Sequence, residues 1–249
     1  MKVLGAYEKA RIYIEKHYRD SEEARIHHRK LNPGPAITIS RETGVGAAVI
    51  CEKLVEYFNK RAIEGYDDWA YFDKALIEKI MEDHQLPDHF RKYLHEEKPP
   101  KIETWFGELL GVTPSKILLH RKISQTILKL ADFGNVIIVG RGANIITAKR
   151  KNAFHIRLVA PLSYRIENAC RLYNLDYKKA SDFIREEDDA RKQYIWKFFH
   201  KNIEDPLLYH AVINTNLMNP DEIAEMIGQC IVRKFPNFFS KEKILSLSA

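Results

Sequence analysis

Cysteine is scarce in this chain of 249 residues: three occur, Cys51, Cys170 and Cys230, far apart. Without a CxxC pair they offer neither zinc-ligand spacing nor a disulfide framework, and buried reduced thiols are the expectation. No HExxH occurs among the ten histidines and no GxSxG occurs anywhere, which disfavours a metalloprotease and an α/β-hydrolase. No apolar run nears the ~20 residues of a membrane-crossing helix. The start, Met1–Gly5, turns charged without a signal-peptide core. A cytoplasmic protein with no membrane association is expected. Zinc fingers and aromatic-interleaved RNA motifs are also missing, so the net charge of +6 does not by itself select nucleic acid over small polyanionic ligands.

What is present suits one large domain. Hydrophobic residues make up 45% of the chain, enough for a sizeable core. Residues 1–35 read as a helical N-terminal extension that ends at the breaker Asn32-Pro33-Gly34-Pro35. The core domain then spans 36–249. Ala36–Ser40, Val136–Val139, Phe154–Val159 and Ala211–Asn214 are short apolar runs without polar alternation, as in strands buried on both faces. Tyr71-Phe72-Asp73 reads as a strand end or loop. Helical periodicity recurs over Ala47–Arg61, Ser115–Phe133 (with Ser115 as cap), Pro161–Tyr173, Tyr177–His200 and Pro220–Phe235. Alternation of strands and helices predicts an α/β fold with a parallel sheet flanked by helices. The Pro- and charge-rich stretch within 60–115 reads as a helical insertion, and 177–200 as lid helices.

Chemistry concentrates at three places. The segment Ser40–Ala48 joins a buried strand to a helix through Gly44 and Gly46, the geometry in which backbone N–H groups at a helix start hold phosphate. Against the pattern GxxxxGK[ST], the first glycine is Arg41, the lysine is Ala47 and the hydroxyl is Ala48. The point charge on the phosphates and the Mg²⁺-binding hydroxyl are both missing. Second, Arg141 follows a buried strand within Gly140-Arg141-Gly142, at the strand end that faces the ligand crevice in such sheets. Third, Arg185, Asp188 and Arg191 share one helix face at spacings of three. Taken alone, that face reads first as a solvated ion-pair ladder, with an arginine clamp on phosphates as the alternative.

Taken in order, Ile37–Gly46, Tyr71–Lys74, Val139–Asn144, Phe154–Arg165, Ile184–Tyr194 and Asp205–Thr215 resemble the cytidylate-kinase-like proteins, P-loop relatives of the nucleoside-monophosphate kinases. The resemblance covers roughly 36 to 231. It implies a P-loop NTPase fold with a monophosphate-binding insertion and a lid helix. It implies phosphoryl transfer from ATP to a nucleoside monophosphate of the CMP or dCMP type, with Mg²⁺ held mainly through phosphates and water. By the same resemblance, Arg41, Glu42, Thr43, Gly44, Val45, Gly46, Ala47 and Ala48 cradle the ATP phosphates. Asp73, Arg141 and Asn144 meet the monophosphate, and Arg141, Arg185, Asp188 and Arg191 act on the transferring group. The partner is then a small-molecule nucleotide, with nucleic acid disfavoured. Gly142 stands where cytidylate kinases carry an aspartate, and Ala47 and Ala48 depart further. The alternative is a weakly active or inactive nucleotide-binding protein of the same fold.

Overall fold

The computed structural model describes residues 12–14, 33–63, 69–73, 75, 77 and 114–242. Most of the expected extension over 1–35 and of the insertion over 60–115 lies outside the described residues. Five strands form one sheet: β1 (Ala36–Arg41), β2 (Ala70–Phe72), β3 (Val136–Val139), β4 (Ala153–Val159) and β5 (Ala211–Asn214). Their spatial order is β2-β3-β1-β4-β5 and every pairing is parallel. Among the described residues the helices are α1 (Ala47–Arg61), α2 (Pro114–Phe133), the short α3 (Ala143–Ile146), α4 (Leu162–Tyr173), α5 (Tyr177–Phe199) and α6 (Pro220–Lys234).

Both faces of the sheet are covered, which is why its strands read as unbroken apolar runs. Ile37, Ile39, Ile137, Val139, Ile156 and Leu158 pack against α1 and α6. On the other face Val136 and Ile138 meet Ile123, Ile127 and Leu130 of α2. Tyr13 and Ile14 are buried in that same cluster, and the Tyr13 hydroxyl donates to the Gly134 carbonyl, so this part of the N-terminal segment belongs to the core. Tyr71 and Phe72 lie in a true strand, β2. Ser115 is inside α2, one residue past its start, and so is not its cap. Of the cysteines, Cys51 is buried, Cys170 half-buried and Cys230 exposed, so burial holds for one of the three.

The ends of α6 show sequence fixing a helix. Asn219 and Glu222 form a reciprocal capping box, Pro220 opens the helix, and Asp221 and Glu222 oppose Arg233 and Lys234 along the dipole. Its buried stripe, Ile223, Ile227 and Ile231, then docks beside α1.

A polar pair is sealed between β1 and β4. Thr38 and His155 face each other in register, with Thr38 Oγ1 2.8 Å from His155 Nδ1. Burial, with His210 nearby, holds the His155 imidazole down at about 4. The folded protein therefore keeps His155 neutral while the unfolded chain protonates it below its ordinary 6.5. Stability is expected to fall as pH drops from 6.5 towards 4, by at most about 3 kcal/mol from this residue. Urea midpoints at pH 7 and 4.5 check this: His155→Gln should lose less on acidification than the parent.

Candidate functional site

The three sequence motifs converge at the carboxyl ends of β1 and β3. Arg41 is the last residue of β1, paired in register with Leu158, so the turn proper starts at Glu42. Gly44 and Gly46 take φ of 87° and 77°, backbone that side chains rarely tolerate. A Cβ on Gly44 would come within 2.5 Å of the Arg165 carbonyl oxygen. Gly46 caps α1 without any side-chain hydrogen bond, which leaves the first N–H groups of that helix unclaimed by a cap. Ala47 is half-buried and Ala48 exposed, and Val45 anchors the turn in the core.

A network of charges holds this turn against α4 and α5. Arg165 of α4, 8% exposed, is its hub. It reaches Asp188 Oδ2 at 2.6 Å and Glu42 Oε2 at 3.3 Å, and donates to the carbonyls of Ala160 and Thr43. Glu42 also accepts the Ala160 N–H at 3.0 Å, so its carboxylate ties the turn to the end of β4. Asp188 Oδ1 accepts from both the Thr43 N–H, at 2.8 Å, and the Thr43 hydroxyl, at 2.7 Å. Arg191 donates to the Thr43 hydroxyl, to Asp188 and to Glu187. A carboxylate thus sits on a backbone N–H of the glycine turn, flanked by two guanidiniums. That donor set suits a phosphate equally well.

Beside the turn lies a cleft of about 130 Å³, floored by Thr38–Arg41 and walled by Gly140–Asn144 and by Glu187, Arg191 and Tyr194 of α5. Arg141 has φ 54° and lies 5.4 Å from the Tyr194 ring centre, a cation–π distance. Asn144 lines the cleft and is 7% exposed. Gly142, where cytidylate kinases carry aspartate, has φ 70°, and a Cβ there would meet the Phe199 ring at 2.4 Å. The end of α5 fills the space an aspartate would need. Asp73 follows β2 and acts electrostatically on Arg41. Arg185 is exposed on α5 and is not among the residues lining the cleft.

Of the residues expected at the site, Thr43, Asp188 and Arg191 contact one another, and Arg141, Asn144 and Arg191 line the cleft. Sequence reading passed over Arg165 as a site residue, and with it Glu187 and Tyr194. The one available signal for Arg165 was an arginine in the first turn of a helix that directly follows a buried strand.

The sequence profile of the cytidylate kinase-like family matches residues 36–217, most of the chain and all five strands. The chain belongs to the cytidylate kinase-like family. The cytidylate kinase of Pyrococcus furiosus is 25% identical over 78% of this chain and 87% of its own length. That of Thermoplasma acidophilum is 32% identical over 39% of this chain, a match spanning about half, 52%, of the relative. A solved structure of an uncharacterized protein from Eubacterium ventriosum shares the fold at a TM-score of 0.59, with 20% identity over 79% of this chain and 97% of that one. Within this cytidylate kinase-like fold, no helix among the described residues is long and apolar enough to cross a membrane.

Proposed function

We propose that this protein transfers the γ-phosphoryl group of ATP to a nucleoside monophosphate of the CMP type. Family membership supports kinase chemistry. The observation that carries the reading is Arg191, which bonds Thr43 of the glycine turn and also lines the cleft. It stands between a donor site at Thr43–Ala48 and an acceptor site at Arg141 and Asn144.

ATP supplies the phosphoryl group; an oxygen of the monophosphate forms the new P–O bond as the β–γ bridging bond breaks, giving ADP and a nucleoside diphosphate. The attacking oxygen is already anionic, so no base is required. Gly44–Ala48 present backbone N–H groups to the donor phosphates. Arg191 releases Asp188 and neutralises charge on the transferring group, the service an arginine finger performs. Arg141 and Asn144 orient the acceptor, and α5 excludes water. Glu187 and Asp188 are engaged by arginines. Mg²⁺ would then be held chiefly by the nucleotide phosphates and water, and would supply charge neutralisation at the donor phosphates.

Ala47 and the Asp188 carboxylate on Thr43 favour a second reading, a nucleotide-binding protein without turnover. Coupled detection of ADP separates the two. With ATP, Mg²⁺ and CMP, the kinase reading expects CMP-dependent ADP release above background. Saturable ATP binding with no ADP from any nucleoside monophosphate would establish the second.

A further inference from the structure

A second cavity, of about 500 Å³, opens by the start of β4, whereas the cleft lies at the carboxyl ends of β1 and β3. Ala153 and His155 of β4 line it, and its other walls come from stretches far apart in the chain: α3 with the turn after it, residues 201–210, and the end of α6. Asn144 lines both this cavity and the cleft, so α3 is the partition between them. The size falls in the small-molecule range, roughly 300–1,000 Å³.

The charge of this lining has one sign. Arg150 and Lys151 come from the turn after α3, Lys201 from the segment after α5 and Lys234 from the end of α6, and no aspartate or glutamate lines the cavity with them. Arg150 meets Asp132 at 3.0 Å in an exposed pair that solvent screens. Among the described residues, no carboxylate pairs with Lys151, Lys201 or Lys234. The nearest carboxylates along the chain are engaged elsewhere: Glu204 with Lys192 at 2.8 Å, and Asp205 as acceptor of the Leu207 N–H at 2.9 Å. A concave surface with charge of one sign concentrates solutes of the other. Beside the cations is an apolar side. Leu207 is 90% exposed, and it lines the cavity with Leu208 and Ile145. The His210 ring lines it too, stacked on Phe154 with centroids 4.5 Å apart, and its Nδ1 accepts the His155 N–H at 2.9 Å. The proton of the neutral ring is therefore on Nε2, a donor held in a fixed orientation. Burial, and then the charge of Lys234, lower the His210 imidazole, so it stays neutral at neutral pH.

We propose that this cavity is a second ligand site, separate from the cleft, for a nucleoside polyphosphate, with the phosphates against Lys151, Lys201 and Lys234 and the base on the side of Leu207 and His210. Lysines are point charges on flexible stems, which suits a run of phosphates more than one fixed oxyanion. Inorganic polyphosphate leaves the leucines uncovered. A nucleic-acid strand needs a charged track several nucleotides long, more than a cavity of this size offers. The site stands independently of the kinase reading.

The test is hydrogen–deuterium exchange of the full chain, titrated separately with CTP, GTP, inorganic tripolyphosphate and single-stranded oligouridylate, and read at residues 148–153. The parent is compared with the double variant Lys201→Glu, Lys234→Glu. Both lysines are exposed, so the variant keeps its fold, and unchanged exchange in β1 and β3 checks this. Both triphosphates should slow exchange at 148–153 in the parent. In the double variant the apparent dissociation constant should rise about 30-fold, the loss of charge-assisted contacts to phosphate. Tripolyphosphate should bind the parent about tenfold more weakly than CTP, since it covers no apolar wall. Slowed exchange at 42–48 reads the glycine turn separately, so failure of the kinase reading and failure of this site are distinguishable. The proposal is overturned by no slowing at 148–153 with either triphosphate, or by an unchanged constant in the double variant. Tripolyphosphate binding as tightly as CTP, or oligouridylate binding more tightly than both triphosphates, overturns it as well.

Discussion

Arg191→Ala is expected to lower the turnover number by about 10³-fold, at the lower end of what a phosphoryl-transfer arginine contributes. Three facts set the size. The turn lacks its lysine, with Ala47 in that place, so no other side chain within it brings a charge to the donor phosphates. Arg191 touches Thr43 and lines the cleft, the position from which one cation reaches donor and acceptor at once. Its partners Asp188 and Glu187 hold it there at 2.9 and 3.0 Å. Because the guanidinium acts on charge that develops during transfer, the fall should appear in kcat more than in KM for ATP. Arg191→Lys should recover only part of it, since an ammonium cannot contact two oxygens of a planar pair in parallel. A kcat for Arg191→Ala within tenfold of the parent would show that the charge comes from elsewhere.

The second large effect concerns folding. Arg165→Ala is expected to destabilise the protein by about 3 kcal/mol, because it strips the cationic partner from Glu42 and one of the cationic partners from Asp188 in a half-buried site. For a chain of this size that corresponds to a fall in Tm of about 6–12 °C. The loss also takes the guanidinium donor from the Thr43 and Ala160 carbonyls, leaving Glu42 on the Ala160 N–H and Asn168 on the Gly44 carbonyl to join turn, β4 end and α4. Arg165→Met, which keeps the stem and packing, should lose nearly as much, since the cost lies in unpaired carboxylates. A shift under about 2 °C in both variants would mean that water replaces the guanidinium without penalty.

The sheet was legible because its strands are buried on both faces and leave long apolar runs such as Val136–Val139. The glycine turn was legible because Gly44 and Gly46 stand between such a run and a helix. What escaped depends on chain-distant pairing. Nothing local to Arg165 says that it meets Thr43, 122 residues away. Helical spacing put Arg185, Asp188 and Arg191 on one face, but a face is broader than a contact; Asp188 and Arg191 reach the turn, whereas Arg185 projects to solvent. Tyr13 looked like part of an appendage because its burial is supplied by Phe72 and Gly134 from other elements. Arg41 was counted with the turn by alignment of positions, whereas strand pairing carries it to the end of β1 and aims it across Gly140.

The Asp188 carboxylate on the Thr43 amide has a thermodynamic consequence. On the kinase reading, an incoming nucleotide competes with a tethered anion of the protein itself, and only molecules in which α5 has let go are able to bind. The measured affinity is then the intrinsic affinity scaled by that fraction. If the self-bound form is favoured by about 2.7 kcal/mol, roughly one molecule in a hundred is receptive, and observed dissociation constants are about a hundredfold weaker than the contacts alone would give. Asp188→Asn would then bind nucleotide more tightly while transferring from it no faster, so occupancy and turnover would move independently.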